Sequence, residues 1–378
     1  WFNSRSFKPH KMILLKDLLN NLKKNNISFF TGVPDSILKY FCNYLTKLSK
    51  KKHIIAVNEG SAISLGIGYY LSKKRIACVY LQNSGLGNAI NPLISIAHKK
   101  IYSIPLLLII GWRGSPKKND EPQHILKGKI TKNLLKLLGI RFCILKKKKD
   151  LVKMDKLIKF ANRTKNTVAC LIEKDILIAQ KKLIKKAKIQ FLPFRRDLIL
   201  ELLKQISKNT KIISTTGYTS RELMQIRNEN NLFKGKDFYM VGGMGHSSMV
   251  SLAYSLKSKK KVICLDGDGS LLMHMGSLRT IGFFGNTNFK HILLNNNSHE
   301  SVGGQTTNAY KINFNNLTKS LGYKNFFKVS KVKKFKSIIK KFLKCKGPSF
   351  LEANISEGTI NNLPRLKNFI KVKKQFMK

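Results

Sequence analysis

Apolar residues in this chain fall into two kinds of run. Short continuous runs at 76–81, 104–110, 167–172, 262–265 and 291–294 have the length of strands buried on both faces, as in parallel sheets. Between them lie longer stretches whose apolar positions recur at helical spacing, which predict helices over 37–48, 61–71, 89–97, 131–138, 198–206 and 271–281. Further strands are expected at 54–57, 211–214, 238–241 and 349–355. The alternation runs once, breaks at the lysine-rich segment 179–188, and runs again. That order predicts an α/β protein with two doubly wound parallel-sheet domains, over 12–178 and 196–378, joined by a linker at 179–195. The two halves share no residue-level repeat.

Most predicted strands end in a turn rich in Gly, Asn or Asp, and in open α/β sheets ligands bind beyond the carboxyl ends of strands. The turn after 262–265 is Asp266-Gly267-Asp268-Gly269, and the strand 291–294 ends in Asn295-Asn296-Asn297. The strand, helix and strand between them form a βαβ unit whose right-handed crossover returns the chain to the same edge of the sheet, so Asp268 and Asn296 can meet. A carboxylate and an amide oxygen suit a hard cation, Mg²⁺ or Ca²⁺. Taken singly, Asp and Asn are also ordinary turn formers. Glu59 likewise stands after the strand at 54–57, where it either serves a ligand or caps the next helix.

At 378 residues and 43% hydrophobic content, the chain is long enough for two cores of ordinary size. No apolar run approaches the roughly 20 residues of a membrane helix, and no membrane partner is expected. The first residues, WFNSRSFKPHKM, lack a following apolar signal core because Lys16 and Asp17 interrupt it; the natural start is expected at Met12. Six scattered cysteines without a CxxC pair predict reduced thiols and a cytoplasmic protein. The formal charge of +53, from 72 Lys+Arg against 19 Asp+Glu, raises the class of nucleic-acid binders. The lysines are spread along the whole chain instead of forming one basic helix, which favours a solvated surface bias, and no specific nucleic acid is expected.

GDG followed by NN at this spacing, each at a strand end, with a strand-end glutamate in the preceding domain, resembles the thiamine-diphosphate-dependent enzymes. Among them the chain is similar to the phosphonopyruvate decarboxylases, from Gly32-Val33-Pro34-Asp35-Ser36 to the last strand. The most specific segments are QNSGLGNAINP at 82–92, IGWRG at 110–114, DEPQH at 120–124, SREL at 220–223, HMGSL at 274–278 and HESVGGQ at 299–305.

The resemblance implies a pyrimidine-binding domain followed by a diphosphate-binding domain. It also implies thiamine diphosphate and Mg²⁺ as cofactors, with each cofactor lying between subunits of at least a homodimer. Asp268, Asn296 and the carbonyl of Ser298 would hold the metal, and Gly267, Gly269 and Ser270 would lie against the diphosphate. Met244 would wedge the two cofactor rings, Gly242 would accept from the aminopyrimidine, and Glu59 would protonate the pyrimidine nitrogen. Asp35, His124 and His299 are implied as proton-transfer or positioning groups, and Asn88 and Arg113 as contacts to an anionic substrate. Met244 could equally fill a core, Arg113 could pair within its own loop, and His246 and His274 read as structural. The implied reaction converts 3-phosphonopyruvate, a small 2-oxo acid, to phosphonoacetaldehyde and CO₂; sulfopyruvate is the alternative substrate. Asn297 departs from the family, which usually has glycine there, and a side chain could crowd the metal loop.

Overall fold

The computed structural model describes residues 12–116, 118–179, 192–230, 232, 236–360 and 362–378. The chain divides into two compact units, residues 1–185 and 186–378. The expected linker, 179–195, lies for the most part outside the described residues, and Arg195 already opens the helix Arg195–Gln205.

The N-terminal unit is built on a six-stranded sheet, in the spatial order His53–Ile55, Phe30–Gly32, Ala77–Gln82, Leu106–Trp112, Val168–Glu173, Arg141–Leu145. All of its pairings are parallel. Numbered along the chain, that order is second, first, third, fourth, sixth, fifth. The central strands are buried along their length, because helices cover both faces and leave no side for polar alternation. One core lies on each face, one around Leu18, Phe41, Met154 and Ile158, the other around Ile63, Leu86, Leu135 and Ile140.

In the C-terminal unit the order is Asp237–Tyr239, Lys211–Ser214, Val262–Gly267, Phe289–Asn295, Ser349–Asn354, Asn325–Val329, again parallel throughout. This is the same permutation as in the first unit. In both sheets the chain reverses its direction of travel across the first strand, which creates a switch point between the first and third strands, where loops diverge and leave a crevice.

Several boundaries differ from the sequence expectation. The helix expected at 131–138 spans Pro122–Leu137, because Pro122 is preorganised for the first turn; His124 therefore sits on a helix and not in a loop. The helix expected at 271–281 is two, Asp268–Met273 and Ser277–Phe284. Additional elements, Arg141–Leu145, Leu151–Thr164, Asn325–Val329 and Phe335–Lys344, complete the outer edges. Phe335–Lys344 shows why lysine is so abundant: Phe335, Ile339, Phe342 and Leu343 are buried, and Lys336, Lys340, Lys341 and Lys344 are exposed. Lys211 and Lys290 are exceptions, fully buried in strands. Lys211 Nζ donates to the Phe376 carbonyl and Lys290 Nζ to that of Cys345. All six cysteines are free, and no described helix is long and apolar enough to cross a membrane.

Candidate active site

In the C-terminal unit the acidic motif splits by strand geometry. Asp266 is still in the strand and turns into the core, 3.5 Å from His291. Asp268 lies just past the strand end, 3% exposed, at the start of the six-residue helix Asp268–Met273. Burial pushes its carboxyl up to about 6 against the opposing pull of Thr307 and of the Gly269 and Ser298 amides. No cationic side chain among the described residues pairs with it.

The loop after Phe289–Asn295 comes to the same place. Asn296 Oδ1 accepts from the Ser298 amide at 3.1 Å, and that amide also turns toward Asp268. Thr307 Oγ1 donates to Asp268 Oδ2 at 2.5 Å and lies 3.4 Å from Asn297 Oδ1. The structure thus brings Asp268, Asn296 and Ser298 together. Asn297 has φ +56°, the left-handed region that Asn tolerates best after glycine, so the family's glycine position is filled by a residue suited to that backbone conformation.

Gly242 and Met244 belong to a second loop at this edge. The Gly242 amide donates to Thr216 Oγ1 at 3.0 Å, and the Gly245 amide to Ser270 Oγ at 3.1 Å. Ser270 Oγ also accepts from Thr215 at 2.8 Å, tying three strand-end loops together. A Cβ on Gly269 would lie 3.0 Å from the His299 ring and 3.2 Å from Met244 Cε, so Gly269, Met244 and His299 converge on one spot. Gly267 is open: a Cβ there would meet only Thr215, at 3.9 Å. Burial holds His299 down at about 4, neutral at ordinary pH. His246 and His274 stack on one another, rings 4.6 Å apart.

The N-terminal unit gathers a different set. Glu59 is 5% exposed, and the cap of its helix is Asn58, whose side chain accepts from the Ser61 amide at 2.8 Å. The Glu59 carboxyl is therefore free for other contacts. Its Oε2 accepts from Asn88 Nδ2 at 2.8 Å, and its Oε1 packs against Gly85, where any side chain would collide with it. Burial raises its carboxyl above the usual range. Asn88, implied as a substrate contact, is exposed and gives Nδ2 to Glu59, while no hydrogen bond of its Oδ1 is seen among the described residues.

Asp35 is fully buried and pushed up to about 6, with Oδ2 accepting from the Ile37 and Leu38 amides and Oδ1 without a hydrogen-bond partner. Arg113 is held in its own loop, Nε to Asp120 Oδ2 at 2.7 Å and Nη2 to Asp120 Oδ1 at 2.5 Å, a bidentate pair that occupies one face of the guanidinium. Its Nη1 reaches Ser36 Oγ at 3.4 Å. His124, in the first turn of its helix, is held down at about 4 by burial and by Arg113, and its Nδ1 has no partner. One turn on, Lys127 is half-buried, and the positive charge lies close enough to Glu59 and His124 to influence both. It makes no ion pair among the described residues. Sequence reasoning passed over Lys127, Thr215, Thr216 and Thr307; Thr215-Thr216-Gly217 after a strand was the one available signal.

This arrangement offers hard oxygen donors and the neutral His299 around a buried carboxylate in one unit, and buried acids with the neutral His124 in the other. Known proteins carry the same two parts. Residues 12–134 match the thiamine pyrophosphate enzyme N-terminal TPP binding domain, and residues 215–353 the C-terminal TPP binding domain. A phosphonopyruvate decarboxylase of Streptomyces hygroscopicus is 29% identical over 94% of this chain and 91% of its own length. A sulfopyruvate decarboxylase of Methanosarcina acetivorans is 27% identical over 93% of this chain and 96% of its own. The beta subunit of sulfopyruvate decarboxylase from Methanocaldococcus jannaschii is 34% identical over 34% of this chain and 67% of its own. With both binding domains present in order, the chain belongs to the thiamine-diphosphate-dependent enzymes and, among them, to the decarboxylases, which are carboxy-lyases.

Proposed function

We propose that the chain decarboxylates 3-phosphonopyruvate to phosphonoacetaldehyde and CO₂, using thiamine diphosphate and Mg²⁺, as a cytoplasmic homodimer or higher homo-oligomer. The observation that carries the reading is the set of buried and half-buried ionisable groups in the N-terminal unit: Glu59 and Asp35 near strand ends, with His124 and Lys127 on the helix Pro122–Leu137. Two phosphonopyruvate decarboxylases that are each 29% identical over 94% of this chain, against 27% over 93% for the sulfopyruvate enzyme, support the choice of substrate.

The residues present fit both cofactors. Asp268, Asn296 and the Ser298 carbonyl would hold Mg²⁺: all three offer hard oxygens, and the buried Asp268 carboxylate lacks a cation that the metal would supply. Gly267 leaves room a Cβ would fill, while Gly269 lies close against His299 and Met244, in line with Ser270 and the Gly242–Met244 loop lying against a bound cofactor. When bound, thiamine diphosphate supplies a nucleophilic carbon and an electron sink for loss of CO₂.

The chain's own residues orient and move protons. Glu59, fixed by Asn88 and raised by burial, holds a proton at its carboxyl for a ring nitrogen of the cofactor. Asp35, with one oxygen pinned by two amides, presents the other as a proton donor below about pH 6. His124 and His299 stay neutral and so can accept or donate one hydrogen bond each. Because Arg113 is engaged with Asp120, Lys127 is the cation best free to meet the substrate's phosphonate.

The test is CO₂ release by the purified protein with thiamine diphosphate and Mg²⁺, comparing kcat/KM for phosphonopyruvate and sulfopyruvate. Preference for phosphonopyruvate is expected; no release from it overturns the reading. Preference for sulfopyruvate would establish the second reading, which the sulfopyruvate decarboxylase relatives favour.

A further inference from the structure

Asn296 is gripped from behind by a charged neighbour that distant residues hold in place. Its Nδ2 donates to Glu300 Oε2 at 3.0 Å. The same oxygen accepts from Arg195 Nη2 at 2.5 Å, while Glu300 Oε1 accepts from the Gly358 amide at 2.5 Å. Arg195 is 4% exposed at the start of Arg195–Gln205, and its Nη1 donates to Glu222 Oε1 at 3.1 Å. Thr359 Oγ1 donates to that Glu222 oxygen at 2.7 Å. The result is a buried line, Glu222 to Arg195 to Glu300 to Asn296.

Two features make this more than a structural ion pair. Buried ion pairs are weak contributors to stability, since desolvation offsets their attraction, and this one holds two acids against a single guanidinium, with Glu222 Oε2 left unpartnered. An ionised carboxylate also only accepts hydrogen bonds, so Glu300 can hold only the NH₂ end of the Asn296 amide. That forces Oδ1 to the opposite side, toward the Ser298 amide and Asp268.

We propose that Arg195 and Glu300 are positioning residues for the metal loop, setting which end of the Asn296 side chain faces Asp268. The inference rests on the reading of Asp268, Asn296 and Ser298 as the cation site. Arg195 supplies the positive charge that keeps Glu300 aligned, and Glu222 fixes Arg195 from the other side. Outer partners of this kind typically change metal affinity by about 10–100-fold when removed.

The experiment titrates Mn²⁺ into the full-length protein with thiamine diphosphate, reading free metal by electron paramagnetic resonance, alongside thermal unfolding without metal. Glu300→Ala is expected to weaken Mn²⁺ binding about 10–100-fold, and Glu300→Gln, which keeps the shape but can present either amide end, by a smaller factor within that range. On an Asn296→Ala background Glu300→Gln should cost nothing further, because its effect runs through Asn296. If Glu300→Ala does not fold, the Glu300→Gln pair of measurements decides. Mn²⁺ affinity within about twofold of the parent in Glu300→Gln, or an equal loss on the Asn296→Ala background, overturns the proposal. Wild-type protein that binds no Mn²⁺ with the cofactor present overturns the cation-site reading itself, a separate result.

Discussion

In the N-terminal unit the switch between first and third strands is edged by Asp35 and Gln82; in the C-terminal unit it is edged by Thr215 and Asp268, within the same strand order. Both crevices bury an aspartate, and burial drives both carboxyls up to about 6. The neighbours then diverge. Asp35 has two amides on one oxygen and no hydrogen-bond partner on the other, an environment in which a proton relieves the desolvated charge. Asp268 accepts from the Thr307 hydroxyl and lies near the Ser298 amide that Asn296 Oδ1 also accepts from, so hard oxygens of two further side chains stand beside it, an environment suited to a cation. The same fold and the same desolvation thus yield a proposed proton carrier in one unit and a proposed metal ligand in the other. What decides is whether the surrounding oxygens can complete a coordination shell.

The sharpest way to break this contrast is Asp268→Asn, which keeps the shape and removes the charge. Mg²⁺ affinity, read from the metal dependence of CO₂ release, should fall by more than about 100-fold, beyond what outer partners contribute. Glu59→Gln should act only on the other side: kcat lower by about 10²–10⁴ with Mg²⁺ affinity unchanged, as measured in the same assay. Loss of both parameters together would erase the division of labour.

Asp35→Asn sharpens the comparison through pH. The Asp35 carboxyl is protonated up to about 6 when folded and only to 3.8 in its unperturbed state, so the stability it contributes is fully present below pH 3.8 and lost as pH rises through about 6. The variant should therefore be more stable than wild type at pH 7, by about 1–3 kcal/mol, and gain little at pH 3.5, as read by denaturant titration. Its kcat should lose any decline that wild type shows as pH rises through about 6. The smallest effect is expected at Asn297, where φ is +56°. Asn297→Ala should cost about 1–2 kcal/mol of stability and Asn297→Gly much less, by thermal unfolding.

Much of the fold was readable because its inner strands carry continuous apolar runs: Leu106–Trp112 is buried from end to end, and in Val262–Gly267 the run 262–265 is fully buried. The outer elements were not, since Arg141–Leu145 is only half-buried and Phe335–Lys344 carries a buried face interleaved with basic residues, which blurs the pattern. Pro122 was the overlooked signal for an early helix start, and it moved His124 from a loop onto a helix. In the candidate site, the strand ends that precede Glu59, Asp268 and Asn296 were legible. The pairing of Arg113 with Asp120 and of Asn88 with Glu59 was not, because either side chain could have faced a ligand equally well.

By itself the sequence determined the α/β class, the strand-end motifs and the residue types for cation and proton chemistry, since these follow from local periodicity and from spacing within one βαβ unit. Tertiary structure alone decided that Asp266 turns into the core while Asp268 faces the Asn296 loop, that Asn58 and not Glu59 caps its helix, and that Arg195 stands behind Glu300. Those outcomes depend on which face of a strand a side chain takes and on contacts between distant segments, where burial changes the energy of every charge and spacing along the chain carries no information.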